Sequence, residues 1–138
     1  MKEYTPRQVK EDPELIRRLY RDALKATENA FAPFSHFHVG AALLTRDGRI
    51  FTGVNVENSS YGATICAERT ALVKAISEGA RTFAAIAVVS QDGEAWPCGI
   101  CRQVLYEFSP DMLVITGRGE KALETAALEE LLPHGFRL

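Results

Sequence analysis

Three cysteines, Cys66, Cys98 and Cys101, constrain this chain more than any other feature. Two of them form the PCGIC pair, and the third lies well upstream in ATICAERTALVKAI. An odd count argues against a disulfide framework and towards metal binding or catalysis. Nothing in the composition calls for covalent staples. The 138 residues suit one domain, 1–138, with one core and no linker. A chain of that length buries roughly two-thirds of its unfolded surface. Apolar residues at 46% and charged residues at 25% are ordinary for a soluble globular protein.

The pattern along the chain places the cysteines at helix starts. Asp12-Pro13 opens a first helix, with Leu15, Ile16, Leu19, Tyr20, Ala23 and Leu24 at helical spacing. After the loop around Pro33 and Ser35, VGAALLTRDGRIFTGVNV holds two strand-like runs joined by Asp47-Gly48, a hairpin signal. NVENSSYG, 55–62, is polar and turn-rich, so it reads as the loop leaving the second strand. A second helix runs from about Cys66 to Ser77 and stops at Gly79. FAAIAVVS is an apolar run suited to a buried strand. QDGEAWP is a loop, a third helix spans about Cys98 to Phe108, and MLVIT is another buried strand. ALETAAL and LEELL fit helix and strand equally well, and Pro133 ends the pattern. This order predicts an α/β fold: a sheet of about five strands, part of it parallel, with helices on both faces.

Cysteines three apart in a helix's first turn can reach one metal ion. Cys66, at the start of its own helix, can meet them there, and two helix N-termini at one point favour thiolate over thiol. A redox role for Cys-x-x-Cys is the competing reading, and the third cysteine in a matched setting favours zinc. Structural zinc sites are closed by four side chains, whereas catalytic ones leave a position open. His36, His38 and His134 are the candidates for closing the site, though none has ligand-pair spacing with a cysteine. Glu68 favours the open site. A carboxylate over the same helix end can take a proton from metal-activated water, whereas by itself it is only a first-turn acid favoured by the helix dipole. Three thiolates leave zinc at a net charge of about -1. Arg69, three residues after Cys66, is the preferred donor to the sulfurs, and Arg102 is the alternative.

CAERTA together with PCGICRQ resembles the zinc-dependent cytidine deaminases. FHVGAALLTRDGRIFTGVNVENSSYG is similar to that family's FxVGAAL hairpin and NxENxSYG loop, and LLPHGF to its C-terminal LLPxxF. The hairpin and loop motifs, with Cys rather than His at position 66, resemble the free-nucleoside branch. The resemblance implies a three-layer α/β/α fold and one zinc ion per chain on Cys66, Cys98 and Cys101. It also implies attack of activated water on C4 of cytosine while Glu68 protonates N3, then the departing 4-amino group. Asn55 and Glu57 would bind the ribose hydroxyls, Phe37 would line the sugar and base pocket, and the Ala67 backbone would meet the base edge. Short members of the family are homotetramers with shared active sites, so Tyr61 and Phe136 would be supplied by neighbours. Trp96 before PCG and the terminal Arg137-Leu138 depart from the family pattern.

The expected activity is deamination of cytidine and deoxycytidine in pyrimidine salvage. The rival within the superfamily is a deaminase of a cytosine nucleoside antibiotic such as blasticidin S. From another class, the rival is a zinc-stabilised binding module without catalysis. Scattered basic residues at a net charge of -2 argue against a nucleic-acid substrate. MKEYTPRQVKEDPEL has no apolar core of signal-peptide length, so a cytoplasmic location without membrane attachment is expected.

Overall fold

In a computed structural model, which describes residues 3–138, the chain builds a six-stranded mixed sheet between two helical layers. Met1 and Lys2, the start of the segment read for a leader, lie outside the described residues. Two helices come first, α1 (Pro6–Lys10) and α2 (Pro13–Ala26). The first is absent from the sequence reading because it is a single capped turn. Thr5 and Gln8 form a reciprocal capping box there. Asp12 caps α2 by accepting the Leu15 amide at 3.1 Å, with Pro13 at its first position.

The hairpin follows as β1 (Val39–Thr45) and β2 (Ile50–Val54), turning at Gly48, whose φ of 92° favours glycine. Helix α3 (Ala67–Ser77) leads to β3 (Phe83–Ser90), and α4 (Gly99–Tyr106) to β5 (Leu113–Gly117). Both helices begin and end within two residues of the expected bounds. Part of the expected QDGEAWP loop is a two-residue strand, β4 (Gly93–Glu94), which folds back on β3 and raises the strand count from about five to six. The ambiguous ALETAAL resolves as β6 (Leu123–Ala127), antiparallel to β5. Its period is hidden because the edge strand is only partly buried. LEEL is a short 3-10 turn.

The strand order is β2-β1-β3-β5-β6. β1 is antiparallel to both β2 and β3, so β2 and β3 run the same way, with α3 as their crossover. β3 and β5 are paired in parallel, with α4 as theirs. Burial is continuous along β1, β3 and β5 because both faces are covered. Ala41, Leu43, Ile86, Val88 and Val114 pack with Ala71, Leu72 and Ala75 of α3 and Leu105 of α4. Their alternates Ala42, Leu44, Ala85, Ala87 and Ile115 pack with Val9 of α1 and Leu19, Tyr20 and Ala23 of α2. The period of two along each strand thus sorts one set of side chains into two cores.

This topology places the site. The carboxyl ends of β2 and β3, the start of β1 and the N-termini of α3 and α4 all lie at one edge of the sheet, where open α/β sheets bind ligands. No helix among the described residues is long and apolar enough to cross a membrane.

Candidate active site

Cys66 and Cys98 are the N-caps of α3 and α4, with extended backbone, and neither side chain makes a capping hydrogen bond. Helix N-caps are ordinarily Ser, Thr, Asp or Asn, whose oxygen accepts an amide of the first turn. Here both caps turn their sulfurs to one another, 3.9 Å apart. Cys101, in the first turn of α4, joins them from below and is fully buried. All three sulfurs lie within 4.8 Å of one another, and no histidine belongs to the group. His36, His38 and His134 therefore do not close the site. His36 and His134 adopt left-handed backbone, with φ of 58° and 57°.

The electrostatics follow from that crowding. The Cys66 sulfur is held towards thiolate, its pKa lowered to about 5, first by a hydrogen bond from Cys101 and then by Arg69. Arg69 Nη2 donates to Cys66 Sγ at 3.5 Å, the i,i+3 geometry of a helix. Cys101, which donates its proton to Cys66 and is buried, is shifted upward instead. Arg102 is spent elsewhere: it donates to the carbonyls of Pro97 at 2.6 Å and Leu131 at 2.8 Å, tying α4 to the C-terminal segment. Glu68, only 4% exposed, has its pKa raised to about 7, chiefly because burial disfavours its charge, with the nearby Cys66 adding to the effect.

Above the sulfurs lies a mainly apolar cavity of about 180 Å³. Phe37, Asn55, Cys66, Ala67, Glu68 and Cys98 all line it. Three segments cross beside Asn55. Val56 bridges to Phe31 on one side and Ile65 on the other. Asn55, buried to 8% exposure, locks the crossing, donating to the Phe37 carbonyl at 2.7 Å and accepting the Val39 amide at 2.9 Å.

Glu57 and Tyr61 line an adjoining depression with Phe34 and Ser35, and Thr64 borders both spaces. Tyr61, 77% exposed, and Phe136, 63% exposed, do not line the cavity of their own chain. The sequence reading missed Val39, Thr64, Ile65, Val88 and Ala95. Strand alternation could have supplied Val39 and Val88, which share a face with Leu43 and Ile86. Trp96 both lines the cavity and packs on the core beneath α3 and α4. A wider depression at the opposite sheet edge is lined by Arg46, Asp47 and Arg81. Its charges are largely satisfied: Arg46 by Asp111, Asp47 by Arg49, and Arg81 by backbone carbonyls.

Residues 13–117 match the family model of the cytidine and deoxycytidylate deaminase zinc-binding region. The chain belongs to this deaminase family. It is 49% identical over 120 residues to a cytidine deaminase of Halalkalibacterium halodurans, a match covering 86% of this chain and 91% of that one. It is also similar to the crystal structure of cytidine deaminase from Burkholderia pseudomallei, with TM-score 0.81 and 47% identity, covering 86% and 97% of the two chains. A blasticidin-S deaminase of Bacillus cereus is 33% identical over 105 residues, covering 70% of this chain and 74% of the other.

The donor set of this deaminase fits the family's zinc. Zinc takes thiolate ligands in tetrahedral sites. Three converging sulfurs, one already drawn towards thiolate beside an arginine, supply that chemistry without rearrangement of the helices. The cofactor is zinc, and Cys66, Cys98 and Cys101 could hold it. Elemental analysis is expected to find one zinc per chain. Stripping the metal with a chelator is expected to lower the melting temperature, since a ligand held only by the native state stabilises it. A melting curve unmoved by chelation, with zinc shown to be gone, would contradict this.

Proposed function

We propose that the chain, as a single domain over 1–138, hydrolyses cytidine and deoxycytidine to uridine and deoxyuridine with release of ammonia. In this reading it serves pyrimidine salvage in the cytoplasm. The observation that carries the proposal is the buried Glu68 carboxyl on one cavity with Cys66, Cys98, Phe37 and Asn55, the buried Cys101 completing the group of three convergent sulfurs behind it. Zinc held by Cys66, Cys98 and Cys101 would supply the Lewis acidity that makes water a nucleophile near neutral pH.

The chain's own groups do the rest. Glu68 holds a proton where cytosine N3 comes to lie and delivers it as C4 becomes tetrahedral. It then takes the proton of the hydroxyl added at C4 and passes it to the 4-amino nitrogen, which leaves as ammonia as the C4–N bond breaks and the C4 carbonyl forms. A carboxyl kept out of water near neutral pKa is suited to both tasks. Arg69 withdraws charge from Cys66 through its hydrogen bond. The backbone of Ala67, at the first position of α3, faces the polar edge of the base. Phe37, Asn55 and Glu57 hold the sugar.

Incubating the purified protein with cytidine, deoxycytidine, cytosine, dCMP and blasticidin S, and following ammonia release, tests the reading. Turnover of the two nucleosides is expected. Turnover of blasticidin S alone would favour the antibiotic deaminase. Bound zinc without any deamination would leave the binding module. Support for cytidine over the antibiotic comes from 49% against 33% identity to the respective relatives.

The proposal includes a homotetramer with shared sites, in which Tyr61 and Phe136 of one chain complete a neighbour's cavity. Their exposure, unusual for aromatic side chains, supports this. Mixing inactive Glu68→Gln chains with Phe136→Ala chains is expected to restore part of the activity, through hybrids that hold one intact site. No recovery in demonstrated mixed oligomers would count against sharing.

A further inference from the structure

Phe37 is held on both sides of its Cα. On one side its carbonyl accepts from Asn55 Nδ2 at 2.7 Å, and on the other its amide donates to Ser35 Oγ at 3.0 Å. The second bond is the local turn that serine makes two residues ahead of its partner amide. It brackets His36, whose φ of 58° bends the chain sharply at this point. The same hydroxyl donates its hydrogen to Glu57 Oε2. Glu57 Oε1 meanwhile accepts the amides of Phe34 and Ser35 at 2.9 and 3.1 Å. Ser35 thus joins the backbone of a cavity-lining residue to a carboxylate of the adjoining depression through one oxygen. We propose that Ser35 is a positioning residue for the sugar end of the substrate. Its hydroxyl sets the Phe37 backbone and aims Glu57 together.

The count of acceptor sites shows what this aim achieves. A carboxylate offers about four lone-pair positions. Three are taken by donors of the 34–35 turn, all on one side, so the fourth is directed away from that turn and is open to a sugar hydroxyl. Donors from this turn also keep the carboxyl ionised: its pKa is lowered, most by Ser35. A partly exposed glutamate would otherwise sample several rotamers and lose that entropy on binding. Preorganisation by Ser35 removes this cost before substrate arrives.

The inference rests on the nucleoside reading above, and its test separates the two. Steady-state kinetics of the parent, Ser35→Ala and Ser35→Thr would be measured with cytidine and with 2′,3′-dideoxycytidine, which lacks the 2′ and 3′ hydroxyls. A charge-assisted hydrogen bond lost from ground-state binding should raise KM for cytidine about tenfold in Ser35→Ala, with kcat within about twofold. KM for the dideoxy substrate should change much less. Ser35→Thr, which keeps the hydroxyl, should stay within about threefold of the parent. A parent inactive on cytidine would overturn the nucleoside reading, and the inference with it. An active parent whose Ser35→Ala variant shifts both substrates equally, or neither, would overturn the inference alone. So would a Ser35→Thr variant as impaired as Ser35→Ala.

Discussion

Replacing Glu68 by Gln is expected to lower turnover of cytidine by about 10²–10⁴-fold, the range for loss of a positioned acid–base group, while zinc stays bound. Glutamine keeps the length of the side chain and one carbonyl acceptor but has no proton to give or take near neutral pH. The three sulfurs form the metal-capable group without Glu68, so zinc content should not change. Folding should not suffer either. Glu68 is 4% exposed and its charged form is disfavoured by burial, so a neutral amide removes a desolvation cost. Turnover within tenfold of the parent at full zinc occupancy would remove Glu68 from the chemistry. Loss of zinc along with activity would make it part of the metal site instead.

A second large effect is expected at Gly53 in β2, which packs against the backbone of α3 and does not itself line the cavity. A Cβ there would lie 2.4 Å from the Ala71 amide nitrogen and 2.5 Å from the Ala67 carbonyl oxygen. Both are backbone atoms of α3, so the helix itself must move. Overpacking of this kind typically costs about 1–3 kcal/mol, and rigid backbone neighbours place Gly53→Ala at the upper end. A fall in melting temperature of roughly 10 °C follows for a chain this size. Ala67 is the residue after Cys66, so the same shift should displace one sulfur and weaken zinc binding in the molecules that remain folded.

Gly40→Ala provides the control. Its Cβ would lie 2.0 Å from the Ala23 carbonyl oxygen of α2, on the opposite face of the sheet. It should destabilise at least as much yet leave zinc affinity unchanged. Equal effects of both variants on zinc affinity would show that metal binding follows global stability rather than the placement of α3.

Much of this was readable along the chain because the signals are local. Asp12-Pro13 caps a helix, Asp47-Gly48 turns a hairpin, and both appear where expected because each acts over about four residues. FAAIAVVS and MLVIT read as buried strands because both sheet faces are covered and no polar alternation survives. β4 and β6 were not legible. A two-residue strand has no period, and LETAA is an edge strand with mixed burial, so only pairing with β3 and β5 makes them strands. At the site, residue types that carry chemistry stood out: thiols, the buried acid, the turn-rich NVENSSYG. The walls did not, since Val88 and Ile65 look like any core residue until the chain is folded.

Taken alone, the sequence determined most of the longer elements and the ligand chemistry. Cysteines at two helix starts with a glutamate two residues on define a donor set and the proposed proton carrier, because helical spacing brings Cys98 and Cys101 together whatever the tertiary arrangement. Tertiary structure decided everything that needs distant segments to meet. The parallel relation of β2, β3 and β5 returns α3 and α4 to one edge of the sheet, and only then do Cys66 and Cys98 come within 3.9 Å. It also decided that Asn55, Glu57 and Ser35 act as one hydrogen-bonded strap on Phe37. The Ser35–Phe37 bond is local, but the bonds from Asn55 to Phe37 and from Ser35 to Glu57 join residues 18 and 22 positions apart, a separation that no local pattern records.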